Sequence, residues 1–456
     1  MLLSKSLKFI LALLLLQNFI CSVTAQPRAK ANKPALQPIK GRSPMAGQPA
    51  RRVVPPEALN RIRECKDKRL PMLDLSYLEL TFIPPQVAEL VWLESLTLYG
   101  NKIEKIEHIN GLKRLLYLDL HGNKIKAIEK IDSLRQLLEL DLSQNKITII
   151  QGLSNFSHLY HLTLSQNKID KIQGLDSLIS LKAFNLQLAN ISKLEGLHNL
   201  KNLNSLVLSN NNISSIARIS ANTNLLNLDL STNSITQIDS VAHLKKLQNL
   251  NLSVNKLVDI SALRGLTNLE RLYLSNNQIT TIDSISKWGQ LSELKLRANQ
   301  LVKIANFPSL NKLELLELDG NRIGKLEGLD SLAGLKYFSI SRNSISKIEG
   351  LAKLTQLTHL DLAVNQISQL DGIEVLSNLQ ELSIYENQLA TLSLLSSLNK
   401  LTVLDAAKNK VSTLQGLTAG TVERMSSINL SFNPIVGIDH NDLYKKDVIV
   451  NYLKAR

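Results

Sequence analysis

Few residues in this chain invite a chemical reading. His359, Asp361 and Ser383 supply an imidazole, a carboxylate and a hydroxyl, the parts of a nucleophilic triad. A triad also needs donors aimed at a developing oxyanion, and no recognisable donor loop accompanies these three. His158 and His161 lie three apart but fall on opposite faces of the repeat frame described below, which argues against a shared metal. The sequence has no His-Glu-x-x-His, no glycine-rich loop ending in Lys-Ser or Lys-Thr, and no paired-cysteine spacing. The expectation is therefore a protein with no catalytic residue, no metal site and no cofactor.

A second group of residues suits recognition better than reaction. Arg271, Tyr273, Glu293, Lys295, Arg297, Glu317, Asp319, Tyr337, His359, Asp361, Glu381 and Tyr385 recur at matching offsets, with Arg342 and Glu386 beside them. Tyrosine and arginine often dominate protein interfaces, because each offers a large contact area with polar groups at its end. A smaller set, Tyr99, Tyr117, His121, Tyr160 and His161, lies nearer the N-terminus.

A repeat must position both groups. Residues 118–125 read LDLHGNKI, 140–147 read LDLSQNKI and 162–169 read LTLSQNKI. The asparagine returns in steps of 22 as Asn101, Asn123, Asn145 and Asn167, misses position 189, and continues as Asn211, Asn233, Asn255, Asn277, Asn299, Asn321, Asn343, Asn365, Asn387 and Asn409. Leu115, Leu118, Leu120, Ile125, Ile128, Ile131 and Leu134 hold fixed places around one of these asparagines, and other copies keep the same frame. The alternating LxL segment predicts a short strand with one buried face, and the later aliphatic positions predict a return path along the other side. Stacked copies then form a parallel sheet on one side of a curved solenoid. Residues two, four and six before each asparagine point into the concave hollow, and every member of the two groups except Tyr160, Arg342 and Glu386 stands at one of these places. The asparagine itself is expected to be structural, since its amide can both donate to and accept from backbone groups at the buried turn.

The frame LxxLxLxxNxIxxI resembles the leucine-rich repeat. Its uniform 22-residue length is similar to that of bacterial internalins and of the leucine-rich-repeat regulatory subunit of protein phosphatase one. The resemblance spans about residues 71–437. It implies an α/β solenoid, a leucine-rich-repeat horseshoe with a parallel concave sheet, short helical or irregular convex segments and helical caps. It also implies a protein partner on the concave face. The phosphatase subunits are known as cytosolic and nuclear proteins, so the export signal described next fits the internalin resemblance better.

Residues 1–25 combine Lys5 and Lys8, an apolar run from Phe9 to Leu16, and Val23-Thr24-Ala25 before Gln26, the pattern of a cleaved signal peptide. Ile20 stands where a lipoprotein signal would place a small residue before Cys21. Residues 26–56 hold seven of the twelve prolines, and the first 56 residues contain nine Lys or Arg and no acid, against a net charge of +14 for the whole chain. This stretch reads as a disordered basic linker. Its residues 28–52 offer a salt-sensitive contact with an acidic polymer or membrane surface, an alternative to concave-face recognition, as is a structural spacer of an envelope or matrix. No specific nucleic-acid contact is expected.

Removal of Cys21 with the signal would leave Cys65 as the sole cysteine and exclude an intramolecular disulfide. The expected plan is a capping helix at 57–70 with Leu59, Ile62 and Cys65 inward, about 17 repeats over 71–437 beginning with Leu78 at the Asn position, and a closing helix at 438–456 built on Tyr444, Val448 and Tyr452 with Ile449 and Leu453. The protein is expected to be a monomer, secreted, extracellular or periplasmic. Ala189 and Asn222 interrupt the pattern and are possible hinges, with Asn190 placed to compensate for the missing amide. Asn-x-Ser sequons begin at Asn155, Asn190, Asn212, Asn251 and Asn429.

Overall fold

The computed structural model describes residues 53–282, 288–304, 307 and 310–455. The proposed signal peptide, and the basic linker as far as Arg52, lie outside the described residues. Seventeen three-residue strands, β1 (Met72–Asp74) to β17 (Ser427–Asn429), form one parallel sheet in which each strand pairs with the next in sequence. The 22-residue period becomes the register: Tyr117 pairs with Glu139, and Arg271 with Glu293. On the far side the chain returns through irregular segments and short 3-10 turns such as Ala217–Ala221 and Asp239–His243.

The core runs the length of the stack. Leu115, Leu118, Leu120, Ile125, Ile128, Ile131 and Leu134 are all at most 1% exposed, and their counterparts in other layers are buried in the same way. Burying each such side chain contributes about 1.5–3 kcal/mol, realised only against the layers above and below. One continuous apolar cluster results.

The asparagine amides join the layers. Asn123 accepts through Oδ1 from the Ile103 N–H at 3.0 Å and donates through Nδ2 to the carbonyls of Leu98 at 3.1 Å and Leu120 at 2.9 Å. Asn299 repeats the pattern with Ile279, Leu274 and Leu296. Asn433 extends it after a longer step, accepting from Val411 and donating to Ala406 and Leu430. The residue before the amide is held at positive φ, even when it is β-branched, as at Thr232, Val254 and Val364. That conformation costs roughly 1–2 kcal/mol for an L-residue, so the surrounding bonds and packing impose it.

Three expectations need correction. Asn190 is exposed, and among the described residues its side chain makes no bond in place of the missing amide; Ala189 takes the buried position, and among the described residues no acceptor meets the Ile169 N–H that would have donated there. In the first helix, α1 (Pro56–Asp67), Ala58 is buried with Ile62 and Cys65 while Leu59 is only half-buried. The last helix starts at Lys446, which leaves Tyr444 before it and exposed; of the residues expected inward Ile449 is buried, and Val450 beside it shares the burial. Asn222 is fully buried and donates to the Leu197 and Leu200 carbonyls, while its Oδ1 has no partner.

Candidate functional site

The exposed face of the sheet divides by its charges. On β10 (Arg271–Tyr273), β11 (Glu293–Lys295) and β12 (Leu315–Glu317), acids and bases meet across the strands. Arg271 Nε donates to Glu293 Oε1 at 3.1 Å, and Tyr273 OH donates to Glu293 Oε2 at 2.6 Å. Lys295 Nζ lies 3.0 Å from Glu317 Oε1 and 5.5 Å from the centre of the Tyr273 ring. Burial first, then the bond to Glu293, pushes the Tyr273 phenol well above its ordinary range. Arg297 Nε reaches Asp319 at 3.6 Å, and buried Asp319 also accepts from the Ser339 and Ser341 hydroxyls.

Further along, the Tyr337 and His359 rings lie 5.9 Å apart, and His359 Nε2 is 3.3 Å from Glu381. Lys408 pairs with Glu386 at 3.2 Å and lies 5.0 Å from the centre of the Tyr385 ring. Arg342 and Glu386 are placed differently from the strand candidates: each occupies the positive-φ turn directly before a ladder asparagine, exposed and off the strand.

The triad-like set does not assemble. Asp361 and Ser383 are register partners, but His359 Nδ1 bonds the Thr358 hydroxyl, and Asp361 accepts from the Ala363 N–H and the Ser339 hydroxyl. No hydrogen bond joins His359 to Asp361 or Ser383 among the described residues.

The other end of the face is acidic and aromatic. Tyr77 meets Tyr99 edge-on at 4.6 Å, and Tyr99 stacks on the His121 ring at 4.7 Å. His121 Nδ1 lies 2.8 Å from Asp119 Oδ1, and this hydrogen bond raises the imidazole pKa. Asp119 and Asp141 are register partners on β3 (Tyr117–Asp119) and β4 (Glu139–Asp141). Burial, then the charge of Asp141, pushes the Glu139 carboxyl up to about 7. Burial raises Asp141 too, against the opposing bonds from Ser143. Burial and the surrounding carboxylates raise the Tyr117 phenol, and burial lowers His161.

The sequence reading named His121 and Tyr117 but missed Asp119 and Asp141. The available signal was positional: both aspartates stand four residues before a ladder asparagine, in the same column of successive copies.

A parallel-sheet solenoid held by asparagine amides, displaying polar side chains along one open face, is the scaffold of the leucine-rich-repeat class. The chain is a leucine-rich-repeat protein. The family model for two copies of leucine-rich repeats matches residues 91–135, 135–177, 245–287 and 334–375, and the leucine-rich-repeat model matches 201–257. No curated protein matches the chain. Among solved structures, a leucine-rich-repeat protein of Leptospira interrogans is similar at 28% identity and TM-score 0.70, over 87% of this chain and 96% of that one. An internalin of Listeria monocytogenes is similar at 28% identity and TM-score 0.60, over 76% and 94% of the two chains. The Drosophila Toll–Spätzle complex, at 19% identity, TM-score 0.68 and coverage of 80% and 54%, shares the fold. Proteins built this way generally serve as binding scaffolds. Among the described residues, no helix is long and apolar enough to cross a membrane.

Proposed function

We propose that this protein is an exported, non-enzymatic scaffold that recognises a protein partner through the concave face of its sheet, centred between Arg271 and Tyr385. The supporting observation is the ordered belt of aromatic and charged side chains across β10 to β14 (His359–Asp361), where cross-strand bonds hold Arg271, Tyr273 and Lys295 in place. A surface ordered in advance loses little side-chain entropy on binding. Tyr337 and Arg297 remain exposed enough to be covered by a partner. The Toll structure, solved with Spätzle, illustrates that this fold can present a protein-binding surface. Export rests on the sequence pattern of residues 1–25.

The test is capture from surface and secreted fractions with three baits: the chain from Gln26, the same chain carrying Tyr273→Ala, Arg297→Ala and Tyr337→Ala, and a chain starting at Glu57. The reading expects one protein retained by the first and third baits and lost by the second. Capture that survives the triple change but disappears with the tail, or in high salt, would instead assign binding to the basic residues 28–52 and an acidic polymer or membrane surface.

A further inference from the structure

We infer that Asp119, His121 and Asp141 form a binding site for one divalent first-row transition cation, with zinc the best match, on the exposed face of the sheet. Their donor atoms all lie within 4.8 Å of one another, although they come from adjacent layers. Donors around a tetrahedral zinc sit ~3.3 Å apart, given bonds of ~2.0–2.1 Å, so modest side-chain rotation closes the set. One imidazole nitrogen with two carboxylates suits zinc better than magnesium or calcium, which prefer oxygen alone. Three protein donors leave a fourth position open to water or to a group on another molecule.

The donors are also oriented. Asp119 Oδ1 accepts from the His121 N–H at 3.0 Å, and Asp141 Oδ1 from the Ser143 N–H at 2.8 Å and hydroxyl at 2.6 Å. The Tyr99 ring, nearly parallel at 8°, fixes the plane of the imidazole. Such outer contacts set ligand direction in metal sites. The strand register holds Asp119 and Asp141 side by side, so their repulsion cannot relax by separating the strands. The only cross-charge partner described for this pair is His121, a group that ligates metals as the neutral ring. By contrast, Glu293, Glu317 and Asp319 each have an Arg or Lys partner from a neighbouring position.

The experiment uses the full tag-free chain from Gln26, titrated calorimetrically with zinc chloride and, in parallel, with cobalt(II) followed by its visible absorption. One zinc per chain is expected. Affinity should fall about 10-fold or more in His121→Ala and in Asp141→Asn, while His158→Ala, at an exposed position outside both recognition groups, should bind as the unaltered chain does. Far-UV circular dichroism of each variant establishes that the array is intact, and the isosteric Asp141→Asn keeps the test open if His121→Ala unfolds. The inference is overturned if the unaltered chain takes up no zinc. It is equally overturned if folded His121→Ala and Asp141→Asn chains bind unchanged, or if magnesium competes on equal terms.

Discussion

Strands β3 and β4 and strands β10 to β12 share one backbone, one register and one ladder, yet their faces solve the placement of acids in opposite ways. In the later strands each acid has a cation about one repeat away: Glu293 has Arg271, Glu317 has Lys295, Asp319 has Arg297. In the earlier strands Asp119, Asp141 and Glu139 crowd together, and burial lifts the carboxyl pKa of the last two. A repeat scaffold makes the column of residues, not the neighbour in sequence, the unit of surface design. Opposite signs in adjacent places of a column yield a self-contained belt; like signs leave a position where a cation would be stabilised.

The largest expected effect tests whether the scaffold beneath the two faces is uniform. Asn123→Ala and Asn299→Ala each remove an amide with four backbone partners, and each should cost about 2–3 kcal/mol by leaving buried groups unpaired. Thermal unfolding followed by circular dichroism should show similar losses. A loss at one site only would mean that the faces differ because their layers do.

The next effect should have opposite signs in the two regions. Glu317→Gln removes the partner of partly buried Lys295 and should lower stability by about 1 kcal/mol. Glu139→Gln should raise the unfolding midpoint at pH 8, because it removes a charge the folded site disfavours. If both substitutions destabilise at pH 8, the earlier strands are not electrostatically strained.

The pH dependence sharpens the same point. Glu139 titrates in the folded chain near 7 against an ordinary value of 4.5, so the folded state holds more protons between those values. Its contribution to stability is therefore fully present below about 4.5, is lost as pH rises toward 7, and is flat above that. Glu139→Gln should match the unaltered chain at pH 4.5 and exceed it at pH 8, as read from paired melts. The smallest effect belongs to Lys408→Ala, whose partner Glu386 is also exposed. No measurable shift in the melt is expected there.

The fold was legible because a 22-residue period acts many times over: a single misleading residue cannot hide strand, return path and asparagine together. The site was legible only in part. Tyr273 and Arg297 drew attention by residue type, while Asp119 and Asp141 are ordinary within a copy and become a site only when the copies are stacked. The pairing of Arg271 with Glu293 follows from the same stacking. Ala189 could be recognised as a gap, but the exposure of Asn190 depends on the backbone turn, which residue type alone does not report.

That gap has a mechanical consequence. In a solenoid pulled from its two ends the layers are loaded in series, so every junction carries the same tension and the weakest yields first. The junction between the layers of Ile169 and Ala189 lacks the amide clasp, and among the described residues its buried N–H meets no acceptor. A force ramp should open the stack there, dividing it into a short N-terminal block with the acidic and aromatic face and a longer block with the charged belt. The two faces would thus be separable under tension before either block unravels.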